Sequence, residues 1–211
     1  MKTKHKILIA KIISKFLTSF MSKNQIVTRN GIKWNLNLEE GIDLSIYLFG
    51  TSEKKIFNLK KLLLKKDDLT IIDIGANIGD TTVPMALCTG MTGITIGFDP
   101  NPYVFKILET NANLNKDKYV IHPHRCTISA TPKSFYYISS EASFGNGAIS
   151  ETRDSKHGKF VFDGMVEGIH LKTFLETKYA SMIQKLSFIK IDTEGYDKEI
   201  IKSISDLIQA Y

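Results

Sequence analysis

Thr70-Ile71-Ile72-Asp73-Ile74-Gly75-Ala76-Asn77-Ile78-Gly79-Asp80 is an apolar run that closes on an acid and two spaced glycines. Ile71, Ile72 and Ile74 are β-branched and suit a strand buried on both faces. Gly75 and Gly79 carry no Cβ, so a ligand can lie directly against the backbone there. Asp80-Thr81-Thr82-Val83-Pro84-Met85-Ala86-Leu87 follows, with an acid and hydroxyls at its start and Pro84 early enough for a first helical turn. The predicted order is strand, glycine loop, helix. The spacing Asp-x-Gly-x-x-x-Gly is neither the Gly-x-Gly-x-x-Gly of a dinucleotide loop nor the Gly-Lys-Ser/Thr of a P-loop, which argues against NAD and ATP. Alone, the two glycines would read as an ordinary tight turn.

They are not alone. Gly93-Ile94-Thr95-Ile96-Gly97-Phe98-Asp99-Pro100 is a second apolar strand, and Asp99 lies 20 residues beyond Gly79 at its carboxyl end. An acid placed there can accept hydrogen bonds from both hydroxyls of a ribose. Pro100 and Pro102 stop the strand, and Val104, Ile107, Leu108 and Leu114 recur at near-helical spacing through Tyr103 to Asn115. Two successive strand-to-helix units predict a parallel sheet.

Four segments, Asp73-Ile-Gly-Ala-Asn-Ile-Gly79, Phe98-Asp-Pro-Asn-Pro102, Leu108-Glu-Thr-Asn-Ala-Asn-Leu-Asn115 and Phe188-Ile-Lys-Ile-Asp-Thr-Glu-Gly195, resemble in order and spacing the FkbM family of S-adenosylmethionine-dependent methyltransferases. The resemblance covers about residues 40 to 211, and four motifs in order are far more specific than one. It implies an α/β, Rossmann-like class I methyltransferase fold, a mostly parallel sheet with flanking helices. It also implies S-adenosyl-L-methionine as cofactor, held by Asp73, Gly75, Ala76, Asn77, Gly79, Asp99 and Asn101. The methionine part would lie over the Asp73 to Gly79 loop and the ribose on Asp99, where the family commonly has Glu. Asp99 is one methylene shorter and keeps the two acceptor oxygens. The adenine would lie around Tyr119-Val-Ile-His-Pro-His-Arg-Cys-Thr127.

Phe188, Ile189 and Ile191 form another strand, whose carboxyl end presents Asp192 and Glu194. Ligands of doubly wound sheets bind at that edge. Methyl transfer is an in-line displacement, so most of the acceleration can come from holding the acceptor in line with the methyl group. A hydroxyl acceptor must also lose a proton. Asp192 or Glu194 can take it, directly or through water, or hold a divalent cation that lowers the acceptor's pKa. Asp192 is placed at the reaction centre and Glu194 beside it; the competing readings are a helix cap for Asp192 and a lysine partner for Glu194. His122 and His124 are further bases by type, read as surface or adenine-side residues. Cys88 and Cys126 lack metal-ligand spacing and read as buried or free thiols, consistent with a reducing, cytoplasmic compartment.

The 211 residues, 43% hydrophobic, can bury one substantial core. Residues 1–38 read as a basic extension and 39–211 as the methyltransferase domain. The extension holds Lys2, Lys4, Lys6, Lys11, Lys15, Lys23, Arg29 and Lys33 with no acid, against a net charge of +6 for the whole chain. The rest therefore sums to −2, which argues against a nucleic-acid surface on the domain. Within the extension, Ile7 to Met21 places Leu8, Ile12, Lys15, Phe16 and Ser19 on one helical arc. Contact of residues 1–23 with an anionic membrane and simple packing on the domain both fit such a helix; its short, interrupted apolar face favours packing. It is too short and too lysine-broken to span a bilayer, and no small-residue cleavage pattern follows.

Gln25 to Arg29, Asn30-Gly31 and Ile32 to Leu38 form a hairpin pattern with a type I′ turn. Ile42 to Phe49 and Lys54 to Lys66 read as helices, the second with a solvated lysine face. Ser134 to Leu171 reads as the place of the acceptor pocket, with Ser143-Phe-Gly-Asn-Gly147 and Lys156-His-Gly-Lys159 as loops; Phe144, Asn146 and His157 are contact candidates, and a lid with no chemistry explains them equally well. Lys172 stands where the family often has an acid. Tyr196 to Ala210 reads as one helix, after which the resemblance implies that the last strands of the class I sheet are missing. Two functions follow: an O-methyltransferase acting on a hydroxyl of a glycan or secondary metabolite, or a truncated, catalytically silent domain that binds S-adenosylmethionine or a partner.

Overall fold

The computed structural model describes residues 3–63, 67–140, 143–152, 160–193 and 196–211. The chain begins with helix α1 (Thr3–Phe20) and a hairpin of β1 (Asn24–Arg29) and β2 (Ile32–Asn37). Asn30 and Gly31 turn it with φ of 51° and 78°, the left-handed pair that a type I′ turn requires. Helix α2 (Gly41–Phe49), a 3-10 turn (Lys54–Asn58) and the one-turn α3 (Leu59–Leu62) lead to β3 (Thr70–Ile74), α4 (Thr82–Ala86), β4 (Ile94–Phe98), α5 (Pro102–Leu114) and β5 (Val120–His124). Then come β6 (Thr127–Ile128), β7 (Lys133–Ser140), β8 (Ser143–Ser150), β9 (Phe160–Ile169), α6 (Leu171–Lys178), α7 (Ala180–Ile183), β10 (Leu186–Ile191), α8 (Asp197–Ser203) and α9 (Ser205–Ala210).

The central sheet is parallel throughout, in the order β10-β3-β4-β5. Every residue of β3 and β4 is buried, as expected of inner strands covered on both faces. One face packs Ile72, Ile74, Ile96 and Phe98 against Leu171, Leu175, Ile200, Ile204 and Leu207 from α6, α8, α9 and their caps. On the other face, Ile71 meets Met85 and Leu59, and Ile78, Val83 and Val104 meet Ile32, Trp34 and Leu36 of the hairpin. The chain runs β3, β4, β5 in one direction and then crosses back to place β10 on the other side of β3. That reversal opens a crevice at the carboxyl ends of β3 and β10, the place where α/β sheets bind ligands.

Three local expectations change. Lys54 to Lys66 is not one helix: a 3-10 turn gives way to a single α turn that ends at Leu63, because Leu63 is drawn into the core while Leu62 stays exposed. Residues 64–66 lie outside the described residues. Tyr196 to Ala210 breaks at Ile204 into α8 and α9; Ser203 Oγ donates to the Ile200 carbonyl and Ser205 Oγ to that of Lys202, competing with the helical ladder. Ser143 to Gly147 is strand, the start of β8, in a second sheet ordered β6-β9-β7-β8. A glycine suits that strand because the Tyr137 hydroxyl of β7 lies 2.0 Å from where a Cβ at Gly147 would sit.

Candidate active site

The loop after β3 is held almost entirely by the protein itself. Gly75 and Ala76 N–H donate to the Phe98 carbonyl, Gly79 N–H to that of Ala76, and Ile78 N–H to Asn77 Oδ1. Gly75 has φ +80°, and a Cβ there would lie 1.9 Å from the Asp192 carbonyl oxygen. At Gly79, φ is +90° and a Cβ would meet Leu108 Cδ1 at 2.9 Å. Both spaces that the sequence reading leaves for a ligand are thus filled by protein, and the glycines serve the close joining of β3, β10 and α5. Gly75 and Asn77 still reach the surface of the crevice, whereas Asp73, Ala76 and Gly79 are buried.

Asp73 is wholly buried and spends its carboxylate inside the fold. Its Oδ2 accepts from Thr81 Oγ1 (2.8 Å) and Thr82 Oγ1 (2.7 Å), and its Oδ1 from Lys190 Nζ (2.9 Å). Lys190 also donates to the Gly75 carbonyl (3.1 Å), which ties β10 to the loop. Burial pulls the Lys190 ammonium down, but the carboxylates of Asp73, Asp192 and Asp80, Asp73 foremost, together outweigh it, and the group stands above its ordinary pKa. Nothing in the spacing of the motifs points to Lys190 as the partner of Asp73; only the parallel pairing of Asp73 with Lys190 brings them together.

Asp99 lies at the end of β4, where Oδ2 accepts from Asn77 N–H (2.8 Å) and Oδ1 from Asn101 N–H (2.9 Å). Burial outweighs these two bonds and raises its carboxyl to about 6. Each oxygen keeps a lone pair. Asn101 caps α5, its Oδ1 accepting from Tyr103 and Val104 N–H. Beside the loop, Asp80 accepts from Ser52 Oγ at 2.6 Å, and burial raises its pKa.

Asp192 follows β10 directly and is exposed. Its N–H donates to the Ile74 carbonyl, and no hydrogen bond to its carboxylate is found among the described residues. It does not cap α8. Asp197 closes that turn instead, accepting from Thr193 N–H (2.7 Å) and Thr193 Oγ1 (2.6 Å), and those bonds hold its pKa down. Glu194 lies outside the described residues, as does His157.

These groups border one cavity of about 530 Å3, within the usual range for small-molecule sites. Gly75, Asn77, Asp99, Asn101 and Asp192 all line it, and Tyr137 with Gly147 to Ile149 brings the second sheet to its wall. Of the stretch read as adenine-side, Cys126 and Thr127 line the cavity, with burial raising the Cys126 thiol to about 12. His124 is packed elsewhere: it stacks on Phe98, its Nε2 lies 2.7 Å from the Tyr179 hydroxyl, and burial lowers it to about 4. His122 tilts against the same tyrosine, and burial lowers it too. Phe144 and Asn146 belong to β8, and Lys172 sits in the first turn of α6 outside the cavity lining. Among the described residues no group of three or more His, Cys, Asp or Glu could hold a metal ion.

Two side chains of the third motif also act here. Asn111 Oδ1 accepts from Asn35 N–H (2.7 Å) while its Nδ2 donates to the Ile78 carbonyl of the loop (2.9 Å). Asn115 pairs with both the N–H and the carbonyl of Lys33. Their spacing puts both on one face of α5, a signal the sequence carries, but the strand they grip is far away in the chain.

The profile of the "Methyltransferase FkbM domain" family matches residues 73–210, about two thirds of the chain. The chain belongs to the FkbM methyltransferase family. No curated protein matches it. Among solved structures, the FkbM domain is similar to TYW2 from Pyrococcus horikoshii in complex with MeSAdo, at 18% identity and TM-score 0.37 over 60% of this chain and 51% of that one. TYW2 from M. jannaschii in complex with AdoMet matches at 14% identity and TM-score 0.33, over 56% and 64%. A SAM-dependent methyltransferase from Agrobacterium tumefaciens matches at 9% identity and TM-score 0.38, over 51% and 33%. The chain spans about one third to two thirds of the length of these proteins.

Proposed function

We propose that this FkbM domain is an S-adenosylmethionine-dependent O-methyltransferase acting on a hydroxyl of a glycan or a secondary metabolite. One observation carries the reading: Asp99, with a lone pair free on each oxygen, and Asp192, whose carboxylate meets no donor among the described residues, border one cavity at the reversal of strand order. Asp99 fits the two hydroxyls of a ribose, and the surrounding volume fits a nucleoside-sized ligand. S-adenosylmethionine, when bound, supplies a methyl group made electrophilic by its sulfonium.

The remaining work falls to the chain. Asn77 and Asn101 hold Asp99 through their N–H groups, and Lys190 holds the loop against β10. The acceptor hydroxyl would give its proton to Asp192 as its oxygen takes the methyl group, the methyl–sulfur bond breaking and S-adenosylhomocysteine leaving with the electron pair. Glu194 is assigned a neighbouring, positioning role. Tyr137 and the β8 backbone line the wall toward the second sheet, and in this reading they contact the acceptor and exclude water. Cys88 and Cys126 are buried and not joined in a disulfide, which fits a reducing compartment such as the cytoplasm.

Calorimetry with S-adenosylhomocysteine and a turnover assay over hydroxyl-bearing glycans and metabolites test this together. Asp192→Asn should bind S-adenosylhomocysteine as the parent chain does and lose roughly 10²- to 10⁴-fold in kcat. Binding without turnover over the whole panel would overturn methyl transfer and leave a silent cofactor-binding domain.

A further inference from the structure

Helix α1 is mounted with its apolar side outward. Ser14 is buried at 9% exposure, while Leu8 (57%), Ile12 (60%), Phe16 (64%) and Phe20 (75%) stand in solvent at four-residue intervals, with Ile9 (45%) beside them. Four-residue spacing places these side chains in one stripe along a helix. Phe16 and Phe20 already meet edge to face, with ring centroids 5.1 Å apart. The helix rests on the domain through its other side. Ala10, Lys11, Ser14, Lys15 and Thr18 border a groove of about 310 Å3 with Glu39, Glu40 and Leu44, and Tyr47 Oη donates to Met21 Sδ. Packing on the domain, the reading favoured by the sequence, would bury the stripe and expose the serine; the structure has them reversed.

Two observations say what covers the stripe. Residues 1–38 carry eight Lys or Arg and no Asp or Glu. Lys11 and Lys15 flank the stripe, and neither forms an ion pair among the described residues, although Glu39 and Glu40 lie across the groove and Glu39 is paired with Lys23. A protein partner that buries Phe and Ile would have to satisfy these cations with fixed acids. An anionic bilayer meets both needs at once, taking the aromatic stripe into the acyl boundary while lysine stems reach up to the headgroups. No helix of the described residues is long and apolar enough to cross a membrane, so the geometry is that of a helix lying in the surface.

We propose that α1 docks the domain on an anionic lipid surface, with Leu8, Ile12, Phe16 and Phe20 inserted and Lys11 and Lys15 at the headgroups. The proposal is independent of methyl transfer.

Sedimentation of the full chain with phosphatidylcholine vesicles, with and without added phosphatidylglycerol, tests it. The chain should pellet with the anionic vesicles and leave the neutral ones largely alone, and added salt should weaken the binding. Phe16→Ser with Phe20→Ser should reduce the partition coefficient by at least about tenfold, since each ring removed forfeits its burial. Lys11→Glu and Lys15→Glu should each reduce it by roughly fivefold or more. These side chains are exposed, so unchanged thermal melting and S-adenosylhomocysteine binding confirm that the variants fold. Failure to pellet with anionic vesicles, or pelleting that the aromatic substitutions leave unchanged, overturns the proposal. So does a parent chain that is dimeric in sedimentation velocity when the Phe16/Phe20 variant is monomeric, because a second copy then covers the stripe.

Discussion

Asp73, Asp99 and Asp192 are three acids at one sheet edge with three fates, decided by how many donors each meets. Asp73 meets two hydroxyls and an ammonium and is a fastener. Asp99 meets two N–H groups and keeps acceptor capacity, and burial raises it to about 6. Its carboxylate is therefore present above about pH 6 and protonated below. S-adenosylhomocysteine affinity should be flat from pH 8 to that point and then fall by about tenfold per unit, if the ribose needs the ionised form. Asp99→Asn should bind more weakly by roughly 1.5–3 kcal/mol and lose this pH dependence; calorimetry across the range checks both. A parent chain that binds equally well at pH 5 and 8 would remove Asp99 from the ribose. Residue chemistry alone singled out Asp99 and Asp192, because an acid at a strand's carboxyl end is visible in one dimension. It misassigned the space at Gly75, since the atom that fills it belongs to Asp192, more than a hundred residues away.

At the scale of elements, the hairpin and α5 are joined through amides. Asn111 is fully buried and spans β2 and the loop after β3, whereas Asn115 grips β2 alone. Asn111→Ala strands the half-buried Asn35 N–H and a loop carbonyl, and should cost roughly 1–3 kcal/mol in urea unfolding. It should also weaken S-adenosylhomocysteine binding, because the Ile78 carbonyl loses its tether. Asn115→Ala should cost a similar amount and leave binding intact. Equal effects of both on binding would sink this division of labour. The strand and helix positions around β3, β4 and α5 were legible from β-branched runs and helical periodicity, which are local properties. The second sheet was only half legible: its β-prone runs stood out, but two glycines in five residues imitate a loop, and only the cross-strand Tyr137 makes Gly147 suit a strand. The breaks at Leu63 and Ile204 escaped for the same kind of reason, since core burial and serine-carbonyl bonds override helical propensity.

For the whole molecule, the basic segment divides into two parts with different ties. Trp34, the one tryptophan of the chain, sits at 1% exposure in the cluster that holds Ile78 and Val83. Its fluorescence should therefore report the same unfolding transition as far-ultraviolet circular dichroism. S-adenosylhomocysteine at a hundredfold excess over Kd should add about 2.7 kcal/mol to both. An early, ligand-insensitive Trp34 transition would mean that the hairpin melts apart from the domain. Helix α1, by contrast, leaves its apolar stripe outside that core. By itself, the sequence determined the parallel α/β architecture, the FkbM family and the acids at the strand ends, because burial patterns, turn chemistry and motif spacing are written along the chain. The tertiary structure decided which acid is spent and which stays free, what fills the glycine spaces, and which side of α1 faces out, because each depends on atoms brought together from distant positions.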